Sequence, residues 1–349
     1  MKVLHVLNTG KYSGAENVVI TLIHALDGKV ECAYASPDGP IREILESEKI
    51  AFFPISTVAT NAKELKQIVQ EYKPDIIHTH DYNAGIMACF TGTKIPIINH
   101  LHNNTPWLKK ICVKSLAYFV SCVKYKKILT VSDAVMDEFI FGRFLKKKTI
   151  VVKNPVNVKY IQEKSKEKNI LCDESDIIFL GRLSAQKNPI FFLEIVSNLK
   201  RHIPTVKVAM VGTGEMRDEV ERKIKSLKLE ENVVLYGFQK NPYGLLEKSK
   251  ILCMPSLWEG YGLAAVEGLA MGKPVIASPV GGLKHIITKD CGELCESVDE
   301  YTTALLDLLE NQSLYNAKSA NAITRAKSID NIFEYTENIY HIYNTIRRK

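Results

Sequence analysis

The sequence predicts an α/β protein made of two parallel-sheet halves. Three observations predict it. The chain has 349 residues, beyond the size at which a single core keeps growing. Short β-branched runs alternate with helically patterned stretches, the signature of parallel sheets covered on both faces. The alternation stops near Asn154-Pro155 and then restarts.

Residues 2–8 form an apolar run that reads as the first strand. Apolar spacing of three and four makes 16–26 a helix, and 30–35 is extended again. Residues 40–48 read as a helix, 51–55 as a strand and 62–72 as a helix. The β-branched runs 75–78, 95–99 and 128–131 complete the first series. In the second series, 176–180, 207–211, 233–236, 251–254 and 274–277 are strand-like, and 189–199, 216–227, 243–249 and 262–271 are helical. The Asn-Pro turn at 154–155 and the charged stretch 159–168 suit an exposed hinge. The expected division is 1–155, then 156–330, then a last helix within 331–349 that packs across the junction. The simplest arrangement is two Rossmann-like halves facing across a cleft, with ligands at the carboxyl ends of the strands.

Hydrophobic content of 46% and charged content of 24% are ordinary for a globular protein. No window approaches the roughly 18 apolar residues of a membrane span, and the first residues lack a signal-peptide run. A cytoplasmic location follows as the expectation, and eight scattered cysteines read as reduced thiols. The net charge of +7 is local: residues 104–148 carry ten basic groups against three acids, an excess of +7. Residues 106–127 read as a basic amphipathic helix. Lys109, Lys110, Lys114, Lys124 and Lys127 gather on one side, and Trp107, Leu108, Ile111, Leu116, Phe119 and Val123 lie mostly opposite. That pattern suits an anionic membrane surface, on the inner face of the cytoplasmic membrane, and equally a core helix with a solvated lysine face. Nothing in it resembles a nucleic-acid module.

The chemistry concentrates in two motifs. Glu259-Gly-Tyr261-Gly262-Leu263-Ala-Ala-Val-Glu267 follows a strand and opens a helix. Its glycines admit close backbone approach, the helix start favours an anion, and two carboxylates can accept from sugar or ribose hydroxyls. Gly181-Arg182-Leu-Ser-Ala-Gln-Lys187-Asn188-Pro189 also follows a strand, with Asn188 as N-cap and Pro189 in the first helical position. Arg182 and Lys187 offer a fork and a point charge to a diphosphate. Alone, each motif also reads as a capped helix with solvated charges. Together they suit a sugar nucleotide. Gly10-Lys-Tyr-Ser13-Gly14-Ala-Glu16 lacks the spacing of a dinucleotide loop, and Val211-Gly212-Thr-Gly214 reads as a structural turn. His78, His80, His100 and His102 form two His-x-His pairs beside Asp81, open to metal binding, to lining the cleft or to packing.

Glu259-x7-Glu267, the Gly181-Arg182-x4-Lys187 cluster, Ser13-Gly14-Ala15-Glu16 and Asn154-Pro155 resemble the retaining GT-B glycosyltransferases, in particular family 4, the bacterial polysaccharide and lipid-glycan enzymes. The resemblance implies that Arg182 and Lys187 hold the donor diphosphate, that Glu259 meets the transferred sugar, and that Glu267 meets the ribose. It places the amides of Tyr261, Gly262 and Leu263 on sugar and phosphate, Gly237-Phe238-Gln239 near the base, Gly14 in the first donor loop, and His102 beside the reacting carbon. Ser13 stands where the family usually has a glycine, and Pro155 where the hinge commonly has one. The implied reaction transfers a sugar, with retention, from a nucleotide-diphosphate sugar (UDP as the expected nucleotide) to a hydroxyl of a lipid-linked glycan in cell-surface polysaccharide synthesis. No cofactor or metal is implied. A GT-B sugar-nucleotide epimerase and a non-catalytic subunit of a glycan assembly complex are the alternatives.

Overall fold

A computed structural model describes residues 1–12, 14–56, 61–103, 105–166 and 173–347. The chain divides into two compact units, Met1–Pro155 with Asn331–Lys349, and Val156–Asp330.

The first unit is a seven-stranded parallel sheet in the order β3-β2-β1-β4-β5-β6-β7. Its elements run β1 (Lys2–Leu7), α1 (Gly14–Ala25), β2 (Glu31–Pro37), α2 (Ile41–Ser47), β3 (Ala51–Ile55) and α3 (Ala62–Tyr72). Then come β4 (Ile76–His80), α4 (Tyr82–Phe90), β5 (Ile97–Leu101), α5 (Val113–Ser121), β6 (Tyr125–Thr130), α6 (Ala134–Asp137) and β7 (Thr149–Val151). Every residue of β4 and β5 is buried, as expected for central parallel strands covered on both faces.

The second unit holds a six-stranded parallel sheet in the order β10-β9-β8-β11-β12-β13. It contains α7 (Val158–Ser165), β8 (Ser175–Leu180), α8 (Pro189–Lys200), β9 (Val208–Val211), α9 (Arg217–Ser226), β10 (Val233–Gly237) and α10 (Tyr243–Glu247). It continues with β11 (Ser249–Met254), α11 (Leu263–Ala270), β12 (Val275–Ala277), α12 (Leu283–Ile286), β13 (Gly292–Leu294), α13 (Val298–Glu310) and α14 (Gln312–Ile329). Phe179, Phe192, Leu193, Ile195, Val208, Met210, Tyr301 and Leu305 build the core on one face of this sheet. The last helix, α15 (Ile332–Arg347), packs with the first unit: it meets α1, and its Tyr343 is buried against His78.

Two readings of the sequence need correction. The charged stretch 159–168 is not an exposed connection, because 158–165 forms α7, capped by Asn157 and packed on α10 and α11; residues 167 and 168 lie outside the described residues. Residues 106–127 are not one helix. Pro106–Lys109 is a single 3₁₀ turn, α5 spans only Val113–Ser121, and Lys126 and Lys127 belong to β6. The single lysine arc therefore does not exist. Several apolar residues of the segment face outward instead: Ile111, Val113, Leu116, Val120 and Val123 are exposed, Val113 at 83%, whereas Leu108 is buried and Trp107 and Phe119 are half-buried. Tyr118 and Ser115 make the buried face of α5.

Candidate functional site

In the second unit, β8 and β11 are hydrogen-bonded neighbours at the sheet centre. Their carboxyl ends must therefore emit loops side by side, which brings residues 182–187 to residues 255–262. The Leu257 amide donates to the Gln186 carbonyl at 2.8 Å, and the Gln186 side chain donates to the Trp258 carbonyl at 3.0 Å. Within this stitched pair, Lys187 Nζ donates to Glu259 Oε1, and the Ser256 hydroxyl donates to the same oxygen at 2.8 Å. The Glu259 side chain is 6% exposed and that of Lys187 20%. Arg182 points outward on the same loop, exposed, and among the described residues it has no ionic partner.

Asn188 takes the cap position of α8 in the left-handed region (φ 54°) and Pro189 follows, but the Asn188 side chain makes no capping hydrogen bond. Gly262 caps α11 at φ 98°, and a side chain there would strike Leu283 at 2.6 Å. No side chain caps α11, so its first amides remain available to a ligand. Glu267 lies one turn inside α11 and accepts from the Tyr243 hydroxyl at 3.1 Å. Burial pushes Glu267 up to about 7, against the Tyr243 bond and the nearby charge of Lys187. Tyr261 is buried beside this turn. Phe238 sits at the end of β10, two strands from β8, and is half exposed. Gly212 links those loops: its amide donates to the Gly237 carbonyl, and it packs on the Gly181 carbonyl.

The turn after β12 is a contributor the sequence reading did not single out. The Gly282 amide donates to the Gly260 carbonyl at 3.2 Å, and a Cβ on Gly281 would lie 1.7 Å from the Glu259 carbonyl oxygen. Adjacent glycines just past a strand were the signal available. Ser256 and Tyr243 had none.

In the first unit, Gly14 opens α1 and is exposed, and Glu16 is buried and accepts from Thr9 at 3.2 Å. Ser13 lies outside the described residues. Parallel pairing sets His5 beside His78 and His80 beside His100, and strand alternation puts His5, His78, His80, His100 and His102 on one face of the sheet. All five are buried, which removes His78, His80 and His100 as groups lining an open cleft. His5 Nδ1 lies 3.0 Å from His80 Nε2, and His80 Nδ1 lies 3.0 Å from His102 Nε2. His78 Nδ1 meets the Tyr343 hydroxyl at 2.6 Å. The ring nitrogens of two triads, His5-His78-His80 and His80-His100-His102, fall within 4.8 Å of one another. Burial pushes His5 down to about 3 and His102 down to about 4, the latter opposed by the Asn154 side chain. Asp81, just after β4, adopts φ 124° and caps α4 through the Ala84 amide at 2.8 Å. Burial pushes it up to about 7.

The sequence pattern of the glycosyl transferases group 1 family matches residues 161–326, and that of glycosyltransferase family 4 matches residues 12–160. The chain belongs to the family 4 (group 1) glycosyltransferases. An Escherichia coli UDP-Gal:alpha-D-GlcNAc-diphosphoundecaprenol alpha-1,3-galactosyltransferase is 24% identical to this glycosyltransferase, over 87% of this chain and 86% of its own length. A Campylobacter jejuni N-acetylgalactosamine-N,N'-diacetylbacillosaminyl-diphospho-undecaprenol 4-alpha-N-acetylgalactosaminyltransferase is 27% identical over 91% of this chain and 93% of its own. The crystal structure of Anabaena HepE in complex with UDP and glucose superposes with a TM-score of 0.86 at 20% identity, over 99% of this chain and 100% of that one. The two parallel-sheet units are those of the GT-B fold.

Proposed function

We propose that this glycosyltransferase moves a sugar, with retention, from a nucleotide-diphosphate sugar to a hydroxyl of a lipid-linked bacterial glycan. The observation that carries the reading is the Lys187–Glu259–Ser256 cluster beside the exposed Arg182, at the carboxyl ends of β8 and β11. In this reading Arg182, Lys187 and the first amides of Gly262 and Leu263 take the diphosphate, and Glu259 accepts from the transferred sugar. Glu267 accepts from the ribose, and Phe238 and Tyr261 flank the nucleotide. UDP as the nucleotide draws support from the UDP-dependent galactosyltransferase relative and from the UDP bound to HepE.

The reaction balances without an enzyme nucleophile. The bond from the anomeric carbon to the β-phosphate oxygen breaks, and the acceptor oxygen bonds on the same face. The acceptor proton passes to the leaving phosphate. Fixed cations and a helix N-terminus can stabilise that departing charge, so the proposal includes no metal.

The acceptor is proposed to be met at the inner face of the cytoplasmic membrane. α5 exposes Val113, Leu116 and Val120 along one side, with Ile111 and Val123 nearby and Lys109, Lys110, Lys114 and Lys124 around them. An apolar face ringed by lysines fits an anionic lipid surface. The undecaprenol-linked substrates in the relatives' names fit the same site of action.

The test supplies a panel of nucleotide sugars with and without lipid-diphosphate sugar acceptors, in the presence of EDTA, and follows nucleoside diphosphate release and product anomer. Acceptor-dependent release with retained configuration is expected. Epimerised donor without acceptor would replace the transferase reading with the epimerase one. Sedimentation with vesicles tests the surface: a Val113→Glu, Val120→Glu double variant should lose binding to anionic vesicles.

A further inference from the structure

The turn Glu259–Gly262 opens α11, and α12 holds it from the other side. The backbone of Gly281 and Gly282 lies so close that a Cβ on either glycine would strike the carbonyl oxygens of Glu259 and Tyr261. The Gly282 amide donates to the Gly260 carbonyl at 3.2 Å. Leu283 fills the space that a side chain on Gly262 would take. Every residue from 259 to 262 therefore touches α12 or the turn before it. Yet α12 is a single turn of four residues with no side chain capping its start, a length at which a helix does not hold itself. Burial of Leu283 and Ile286 anchors its inner side. Its last carbonyls lack intrahelical partners, and Arg325 of α14 supplies them. Nε donates to the Ile286 carbonyl at 3.0 Å and Nη2 to the His285 carbonyl, while Nη1 reaches the Ser328 hydroxyl at 3.5 Å. A guanidinium fork fixes orientation as well as distance, and a cation suits the carboxyl end of a helix. α14 itself is seated on α11, with Ala322 and Ala326 buried. Burial pushes the Tyr261 hydroxyl up to about 12, and the charge of Arg325 opposes it.

We propose that Arg325 is a positioning residue for the donor site: by clamping the end of α12 it fixes the 281–282 turn, and through that turn the Glu259 backbone and the start of α11. It touches no substrate. Its guanidinium holds two carbonyls 39 and 40 residues away in the chain, and those carbonyls belong to the one element that braces the donor turn. Loss of the fork leaves α12 anchored by its apolar residues alone, free to tilt away from Gly260 and Glu259. The functional half of this inference rests on the transferase reading above, whereas the clamp itself does not.

The experiment compares the full-length protein with Arg325→Met, which keeps the side-chain stem and removes the fork. Amide hydrogen exchange should quicken by about tenfold or more in 259–263 and 281–287, and stay unchanged in the strands of the same sheet. In a transfer assay well below the variant's melting temperature, kcat should fall about 10–100-fold, the scale of a misplacement of about 1 Å. KM for the nucleotide sugar should change less than about 3-fold, as for an interaction that matters in the transition state. Added to Glu259→Gln, Arg325→Met should cost less than about 3-fold more, because its effect passes through Glu259. Arg325→Lys serves if Arg325→Met does not fold; one ammonium does not reproduce the fork, so exchange should quicken in the same two segments. Unchanged exchange, a change confined to 281–287, or one spread evenly over the second unit overturns the inference. So does an unchanged kcat in a variant whose exchange at 259–263 has risen. If the unmodified protein turns over no nucleotide sugar while exchange quickens in both segments, the transferase reading fails and the clamp stands.

Discussion

Lys187 and Glu259, 72 residues apart, are joined as an ion pair, with Ser256 closing the remaining side of the carboxylate oxygen. A cation proposed for phosphate and a carboxylate proposed for sugar thus hold each other in place before any ligand arrives. Preformed polar groups of this kind need little reorganisation during reaction.

Glu259→Gln should keep the fold and lose about 100–1,000-fold in kcat, the scale on which single electrostatic groups act. Lys187→Ala should cost about 3 kcal/mol of stability as well as activity, because it leaves a mostly buried carboxylate without its counter-charge. Urea unfolding beside steady-state kinetics checks both. Full activity in Glu259→Gln would sink the assignment.

Arg182 separates binding from folding. It is exposed and has no ionic partner among the described residues, so Arg182→Ala should change stability by less than about 0.5 kcal/mol. Affinity for a nucleoside diphosphate should fall about tenfold, while affinity for the nucleoside stays unchanged. Titration calorimetry with both ligands shows the difference.

Gly281 supports Glu259 through space that only glycine leaves open. Its φ is +49°, and a Cβ would fall 1.7 Å from the Glu259 carbonyl oxygen. Gly281→Ala should destabilise the second unit by about 3 kcal/mol or more and reduce kcat as the Glu259 backbone is displaced. An alanine variant with unchanged melting temperature would show that the turn yields without cost.

Nucleotide affinity should rise as pH passes upward through about 7, where half-buried Glu267 ionises. Only the ionised carboxylate accepts from both ribose hydroxyls. Glu267→Gln should flatten the part of the profile that the nucleotide's own phosphate titration does not explain. An identical profile in the variant would remove Glu267 from the ribose.

Acid should unfold the first unit early. Burial lowers His5 to about 3, His102 to about 4, and His78, His80 and His100 well below the ordinary 6.5. The unfolded chain then takes up protons first, so stability is full above about pH 6.5 and is lost as pH falls below it. Each group removes about 1.4 kcal/mol per pH unit inside its window. Asp81, raised to about 7, contributes with the opposite sign, one group against five. The urea midpoint should be lower at pH 5.5 than at 7.5. His100→Leu should reduce that difference, since neither His100 nitrogen has a hydrogen-bond partner among the described residues.

Much of the site was legible because its signals are local. Gly181-Arg182-x4-Lys187 and Glu259-x7-Glu267 stand just past apolar runs, and the strand and turn chemistry placed both at strand ends. The helix expected over 106–127 failed for a physical reason. Lysines and valines recur there at helical spacing, yet Pro106 admits only a short turn and Tyr125 begins a strand that the sheet requires. His5 and Tyr343 carried no local sign at all, since each gains its neighbours only through packing across the sheet face.

By itself, then, the sequence determined the alternating elements, the two-sheet organisation and the residue types of the donor site, because periodicity and turn chemistry act within a few residues. Tertiary structure alone decided that Lys187 and Glu259 meet, that Gly281 braces them, that the α5 face turns outward, and that five histidines share one buried face. Those relationships depend on which strands lie side by side, and strand order joins residues too far apart in the chain for any local pattern to record.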